Sequence, residues 1–381
     1  MNDSGTDQSD FERVFNQAYQ DAIPDFDGSV NIALVGKVSA GKSSLLNALF
    51  ERERDDPIAV VGSRSGITTA IYPYQFEDKV LIIDCPGLSD VRRENSELTR
   101  KFLASIDMGV FVVTGSADAS QKESYDELKA SCKNTIVVLN KVDEWDDLED
   151  HALDGVMEQW KDALQVDTIF KTCTKGYDPG LRKTAPMDIR GVDSVRDAIL
   201  DFLRREKKDL LLARFLKSKD KYATSIIAMA IVAVAGEAFI PGSAAYITAT
   251  QVIAITSLNY LYTGHILDKG SVLRLLPSFI GESFGTTAFL WAKSFFPPTL
   301  VLDVAAAGIA VVITFAMLAA VRWLLVNGDS LEDREKLKAA FKFFKIVGTE
   351  LKGMSISDLK NKAAVLNLIG RLLRRAVSSA A

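Results

Sequence analysis

Residues 30–50 read VNIALVGKVSAGKSSLLNALF. The first six are apolar except for Asn31, as a strand covered on both faces of a parallel sheet must be. The last eight carry Leu45, Leu46, Ala48 and Leu49 at helical spacing. Between them, Gly36-Lys37-Val38-Ser39-Ala40-Gly41-Lys42-Ser43 has the form G-x-x-x-x-G-K-S. Glycines there let backbone N–H groups close around an anion, and the helix start adds its positive dipole end. Strand, loop and helix in this order make a P-loop. Gly36, Ser39, Ala40, Gly41, Lys42, Ser43 and Ser44 are its candidate phosphate contacts. Lys42 would neutralise the β- and γ-phosphates, and the Ser43 hydroxyl would reach Mg²⁺.

Outward from this run, β-rich segments recur at 79–83, 108–114, 135–139 and 168–170, with an edge strand expected at 72–76. Amphipathic stretches separate them, so the pattern predicts an α/β fold: a doubly wound, mostly parallel sheet. A helix over 11–23, stopped by Pro24, precedes the sheet, and a helix over 192–205 closes it. Residues 1–10 are polar and acidic with no apolar core, which predicts a loose tail and no secretory signal.

The chain has 381 residues, 48% of them hydrophobic and 25% charged, which excludes a disordered chain and allows two domains. A formal net charge of −5 gives no basic signature, so no nucleic-acid partner is expected. Cys85, Cys132 and Cys173 stand far apart, without the spacing of a zinc site or a disulfide framework, which fits a reducing, cytoplasmic location.

Asn140-Lys141-Val142-Asp143 follows the strand at 135–139 and has the form N-K-x-D. The Asp143 carboxylate can accept from the ring N1–H and the exocyclic amine of guanine, neither of which adenine offers, while the Lys141 stem can cover the base. Asp84-Cys85-Pro86-Gly87 ends an earlier strand as D-x-x-G, with Asp84 holding a Mg²⁺-bound water and the Gly87 N–H facing the γ-phosphate. Gly66-Ile67-Thr68-Thr69 supplies a switch threonine, with Thr69 favoured over Thr68 as the third Mg²⁺ ligand beside Ser43 and Asp84. Cys173-Thr174-Lys175-Gly176 lies where a further loop would meet the base, the Thr174 N–H facing the guanine carbonyl. The ligands implied are GTP or GDP with Mg²⁺, and Lys42, Ser39 and Thr69 are the candidate catalytic residues.

Five elements in this order make 30–202 resemble the translation-factor-related P-loop GTPases. Ser39-Ala40-Gly41-Lys42-Ser43-Ser44 is similar to the dynamin P-loop, whereas Gly66-Ile67-Thr68-Thr69 and Asp84-Cys85-Pro86-Gly87 resemble the Era and TrmE group. Ser39 stands where Era-type P-loops usually carry Asn. Leu88 occupies the place where Ras-like GTPases keep a glutamine that orients the attacking water, so another group must do this. Ser39, Arg64, Arg92 and Arg93 flank the switches and are the candidates for a site completed across a subunit interface.

Behind the G domain the composition turns apolar. The organisation predicted is an N-terminal tail and helix over 1–24, a G domain over 25–208, an all-α apolar domain over 209–328 and basic amphipathic helices over 329–381. Residues 304–321 carry no charge and approach the length of a membrane span, whereas Glu237 interrupts the apolar run at 222–239. The region resembles the YcjF-like helical module fused to Era-like domains, and the overall plan is similar to the interferon-inducible GTPases. Two membrane readings stay open: integral hairpins, or a bundle with a membrane-binding face. A stripe of Leu337, Ala340, Phe341, Phe344 and Val347 between lysines could lie on an anionic bilayer or dock on the apolar helices. The function expected is GTP hydrolysis coupled to membrane association or to a nucleotide-dependent homodimer or larger assembly. The alternative is a slow GTP-binding switch or scaffold that recruits a protein partner.

Overall fold

The structure, a computed structural model, describes residues 3–59, 71–88, 101–177, 181–182, 184–280 and 300–380. The chain divides into two compact units, one of Asp25–Lys217 and one that joins Met1–Pro24 to Ser218–Ala381. The N-terminal helix α1 (Asp3–Ala22) therefore belongs with the C-terminal helices. This corrects the separate 1–24 segment. The tail expected before Phe11 is already helical from Asp3. The boundary expected near Lys208 falls at Lys217, because the short helix after it is part of the first unit's core.

In the Asp25–Lys217 unit, six strands form one sheet: β1 (Val30–Val35), β2 (Tyr72–Phe76), β3 (Val80–Cys85), β4 (Ile106–Val113), β5 (Cys132–Leu139) and β6 (Phe170–Lys171). The order is β2-β3-β1-β4-β5-β6, parallel throughout except for the antiparallel edge strand β2. All residues of β1, β3 and β4 are buried, as the apolar runs require. The chain moves from β1 to β3 on one side and to β4 on the other, so a crevice opens beyond the carboxyl end of β1, where open α/β sheets bind ligands. β7 (Cys173–Lys175) and β8 (Asp188–Arg190) form a separate antiparallel hairpin. The strand expected at 168–170 is thus displaced by two residues and very short, since the chain leaves the sheet at Thr172 to build this hairpin.

Side-chain alternation splits the core. Ala33 and Val35 of β1 join Phe111, Leu128 and Trp160 on one face, which helices α3 (Ala119–Ser131) and α4 (Asp150–Leu164) cover. On the other face, Ile32 and Leu34 surround a small apolar space with Leu46 and Phe50 of the α2 region (Lys42–Leu49), Ile199 of α5 (Val192–Arg205), and Leu212 of α6 (Asp209–Ala213). Arg196 of α5 is buried here. Its Nε donates to the Leu49 carbonyl at 2.7 Å, its Nη2 donates to the Ala48 carbonyl at 3.0 Å, and its Nη1 pairs with Glu51 at 3.2 Å. A guanidinium thus closes the C-terminal end of α2, where free carbonyls carry the negative end of the helix dipole.

The other unit is helical throughout its described residues. Helices α7 (Lys219–Glu237), α8 (Ser243–Thr263) and α10 (Leu300–Val326) pack pairwise, α1 lies on α8, and α9 (Lys269–Ile280) lies between α8 and α11 (Arg334–Val347). α11 covers α10, while α12 (Ile356–Lys360) and α13 (Lys362–Ala380) pack on α7. The breaks expected at Pro241-Gly242 and at 268–270 separate these helices, and the one at Pro297-Pro298 lies outside the described residues. Polar groups cross-link the apolar helices: Thr250 Oγ1 donates to Glu237 Oε1 at 2.7 Å and Gln251 Nε2 to Thr314 Oγ1 at 2.9 Å. Arg322 and Tyr262 both reach Asp220, at 2.9 and 2.8 Å.

Among the described residues, Ala307–Val326 is the one helix long and apolar enough to cross a membrane, and 83% of its apolar window is buried inside this unit. The stripe Leu337, Ala340, Phe341 and Phe344 is buried too, with Phe344 edge-on to Phe315 of α10. It docks on the apolar helices and is not free to lie on a bilayer. The outward face of α11 carries Lys338, Lys342, Phe343 and Ile346, the last 73% exposed.

Candidate nucleotide-binding site

The P-loop leaves β1 at Gly36 and enters α2 at Lys42. Gly41 has φ +85°, and a Cβ on it would sit 2.2 Å from Asn140 Nδ2, so conformation and space both exclude a side chain. Ser39 also takes a left-handed conformation, at φ +66°, and is exposed. A side chain held there carries backbone strain of about 1 kcal/mol or more, which concentrates at functional sites. Lys37 pairs with Asp118, which caps α3 through Ser120 N at 2.9 Å. The Lys37 bond leads in holding the Asp118 carboxyl down at about 2.

Lys42 is buried and donates to the carbonyls of Gly36 at 2.9 Å and Lys37 at 3.1 Å, so its ammonium lies along the inner rim of the loop. It stands 3.6 Å from Asp84 Oδ1 at the end of β3. Ser43 Oγ donates to Asp84 Oδ2 at 2.8 Å. Burial raises the Asp84 carboxyl above its ordinary range, against the opposing pull of Lys42 and Ser43.

These residues fit Mg²⁺, a hard cation that takes few protein oxygens and completes its shell with water and phosphate oxygens. A hydroxyl and a carboxylate already in contact meet that requirement. Among the described residues no cluster of three or more His, Cys, Asp or Glu could hold a metal by itself. Thr69, the third expected ligand, lies outside the described residues, as do Gly66, Thr68, Arg64, Arg92 and Arg93. Gly87 is buried after Pro86, and Leu88 is fully buried in the core with Phe102 and Ile83.

The base-reading segments meet the P-loop through Asn140, which is completely buried. Its Nδ2 donates to the Ala40 carbonyl at 3.0 Å, and its Oδ1 accepts from Thr172 Oγ1 at 3.0 Å and Thr174 Oγ1 at 3.2 Å. The sequence suggests Asn140 as a nucleotide contact; the structure spends its side chain on positioning the three loops. Lys141, at φ +62°, opens the 3₁₀ turn Val142–Trp145, which presents Asp143. Lys175 Nζ lies 3.3 Å from Asp143 Oδ2, and Cys173 Sγ lies 3.3 Å from Oδ1. Burial pushes the Cys173 thiol up to about 11, and the nearby Asp143 and Asp188 carboxylates add to the shift. Arg190 of β8 forks onto Asp146, with Nη1 to Oδ1 at 3.0 Å, fixing the hairpin against this turn.

The described site residues, Gly36, Ser39 to Ser44, Asp84, Gly87, Asn140, Lys141, Asp143 and Cys173 to Lys175, therefore stand on four segments at or beyond the carboxyl ends of β1, β3, β5 and β6. Three supporting residues escape a reading by motif. Asn47 of α2 accepts from the N–H groups of Ile58 and Ala59 at 2.8 and 2.9 Å and donates to the Ala59 carbonyl at 2.8 Å. Arg54 and Arg196 bind backbone carbonyls far away in sequence. Only the Asn at the apolar-patterned position 47 carries a signal in the sequence, as a polar group inside an otherwise apolar helix.

Sheet order, P-loop and guanine-type turn together define a P-loop GTPase domain. Residues 31–141 match the family model described as 50S ribosome-binding GTPase, and the domain has homologues among the MnmE and Der GTPases. The chain is 29% identical over 196 residues to the tRNA modification GTPase MnmE of Thermoanaerobacter sp. (strain X514), covering 48% of this chain and 39% of that protein. It is 32% identical over 129 residues to GTPase Der of a Nitratiruptor species, covering 31% of this chain and 26% of that one. It thus spans well under half the length of these relatives. A crystal structure of Era in complex with MgGDPNP and a piece of 16S ribosomal RNA is 22% identical, with a TM-score of 0.31, over 46% of this chain and 57% of that one.

Proposed function

We propose that this protein is a Mg²⁺-dependent GTPase that hydrolyses GTP to GDP and phosphate and couples its nucleotide state to self-assembly or to peripheral membrane association. The observation that carries GTP binding is the three-way tie of Asn140 to Ala40, Thr172 and Thr174, which sets the phosphate loop and the base loops at one fixed spacing. Lys42 binds the terminal phosphates, Asp143 reads the base, and Ser43, Asp84 and Thr69 hold the metal. Mg²⁺ when bound neutralises charge on the phosphate oxygens.

Leu88, buried in the core, has no group to orient water and no room to reach the phosphates. The missing group comes from a switch segment or a second subunit, and Ser39, with its exposed hydroxyl, stands at that edge of the loop. Groups supplied across an interface contribute about 10³- to 10⁵-fold in GTPases. The same buried leucine supports the other reading, a slow switch or scaffold that recruits a protein partner.

The burial of Ala307–Val326 inside the helical unit favours a peripheral over an integral membrane role, because insertion would require the bundle to open. Phe343 and Ile346, exposed among the lysines of α11, suit contact with an anionic bilayer. The test measures GTP turnover per molecule across a wide protein concentration series, alone and with phosphatidylserine vesicles, together with vesicle flotation under GTP, GDP or no nucleotide. Turnover that rises with concentration or lipid supports the proposal. Flat turnover with no flotation favours the slow switch.

A further inference from the structure

The hairpin β7–β8 stands apart from the six-stranded sheet, and among the described residues one side chain from another part of the domain gathers the connection between its strands. Arg54, in the loop after α2, donates Nε to the Gly176 carbonyl, Nη1 to the Arg182 carbonyl at 2.7 Å and Nη2 to the Ala185 carbonyl at 2.8 Å. One planar guanidinium thus collects three carbonyls from the connection between the two strands. Its donors leave three nitrogens at fixed angles in one plane, a spread that the single nitrogen of a lysine reproduces only in part.

The surroundings fix the same loop. Tyr177 is buried and donates its hydroxyl to the Arg52 carbonyl at 2.7 Å, beside Arg54. Gly176 has φ +128°, and a Cβ there would meet Met187 Cγ at 2.8 Å, so the chain turns tightly at the point where Arg54 grips it. Arg54 itself is presented by a segment that Asn47 pins to α2 through Ile58 and Ala59.

We infer that Arg54 is a positioning residue for guanine recognition, acting through the backbone of residues 173–176. The inference rests on the proposed reading in which the Thr174 N–H faces the guanine carbonyl. Arg54 does not touch the nucleotide. It sets the height of the hairpin's first strand relative to the P-loop helix, so that the N–H of Thr174 points at the carbonyl of a base whose phosphates are held by that helix. Asp143 reads the opposite, amine-bearing edge from a turn tied to the root of the hairpin, where Val142 N donates to the Thr172 carbonyl at 3.1 Å and Arg190 forks onto Asp146, whereas Arg54 holds the connection at its far end. The turn and the hairpin thus share contacts at the hairpin's root, Lys175 to Asp143 included, while Arg54 bears on the backbone that leads away from Thr174.

The experiment measures the affinity of the full chain for three diphosphates: GDP, inosine diphosphate, which lacks the exocyclic amine, and 2-aminopurine riboside diphosphate, which lacks the ring carbonyl and the N1–H; the change of each preference between parent and variant is what is read. In Arg54→Ala, the preference for GDP over the 2-aminopurine nucleotide is expected to shrink about tenfold while the preference for GDP over inosine diphosphate shrinks much less. Arg54→Lys, which keeps the charge and most of the stem, is expected to show the same shift more weakly and guards against a misfolded alanine variant. Unchanged preferences, or an equal loss for all three nucleotides, would overturn the inference, because a merely structural role lowers every affinity alike. If the unaltered chain itself binds GDP and the 2-aminopurine nucleotide equally, the assignment of residues 173–175 to the base fails, and the inference falls with it.

Discussion

Asn140 Nδ2 lies 3.0 Å from the Ala40 carbonyl, so the guanine-type motif and the P-loop share a hydrogen bond across 100 residues of sequence. Replacing Asn140 by Ala removes that bond and leaves the buried hydroxyls of Thr172 and Thr174 without their common acceptor. Buried polar groups left unpaired cost about 1–3 kcal/mol each. Asn140→Ala is expected to lower the stability of the domain by about 2–4 kcal/mol in urea denaturation and to weaken GDP binding at least tenfold. A variant as stable as the parent would show that the tie is dispensable.

Asp143→Asn is expected to weaken guanine nucleotides and favour xanthine nucleotides, because an amide can donate to the carbonyl that replaces the exocyclic amine. Each charged hydrogen bond lost is worth about 1.5–3 kcal/mol, or roughly ten- to more than a hundredfold in affinity. Competition between GDP and xanthosine diphosphate reads this directly; an unaltered order of preference removes Asp143 from the base site.

Leu88→Gln places an amide in a fully buried apolar cluster and therefore should not restore a water-orienting group. Its expected effect is a loss of about 1–3 kcal/mol of stability with no gain in hydrolysis at low protein concentration. Faster turnover of the dilute variant would mean that the side chain at 88 swings out to the phosphates.

The phosphate and base motifs are legible in the bare sequence because their spacing itself encodes chemistry: G-x-x-x-x-G-K-S makes a loop only one ligand class fits, and N-K-x-D after a strand points at one base. Arg54, Asn47 and Arg196 are not legible as a set, since an arginine after a helix has no signature until folding brings distant carbonyls to it. The amphipathic pattern of 337–347 shows that one face is buried but not against what; Phe315 and Gly348, whose added Cβ would meet Phe315 at 2.6 Å, settle that it is α10. The helix at the N-terminus is visible in the sequence, yet its allegiance is not, because a stripe of apolar residues names no partner.

Glu237 offers a pH test of the helical unit. Burial raises its carboxyl above the ordinary range, only partly offset by the hydrogen bond from Thr250, and its Oε2 is buried with no hydrogen-bond partner among the described residues. Because the folded pKa exceeds the unfolded one, the carboxyl costs no stability below the unfolded value near 4.5 and costs progressively more as pH rises through the folded value. Glu237→Gln keeps an acceptor for Thr250 and is expected to raise the melting temperature at pH 7, with the gain fading as pH falls toward 4.5. A gain independent of pH would assign the effect to packing.

A fragment of residues 25–217 is expected to fold and bind GDP alone, whereas one ending at 208 should be unstable. The segment after 208 contributes Leu210, Leu211, Leu212 and Leu216 to the core, and the Phe215 ring lies 5.2 Å from that of Phe76. Circular dichroism and nucleotide titration of the two fragments decide this; equal behaviour would move the boundary back to 208.

The allegiance of α1 to the C-terminal helices governs how the chain can assemble during synthesis. Asn16 of α1 receives a hydrogen bond from Lys269, 253 residues later, so α1 leaves the ribosome long before anything it packs against exists. The GTPase unit, whose own ends meet where Asp25 N donates to the Lys207 carbonyl at 2.8 Å, can close while Phe11, Phe15 and Tyr19 still wait in solvent. The nascent chain thus carries an exposed aromatic ridge through much of translation, and that ridge is buried only once α8, made after the whole GTPase unit, has emerged.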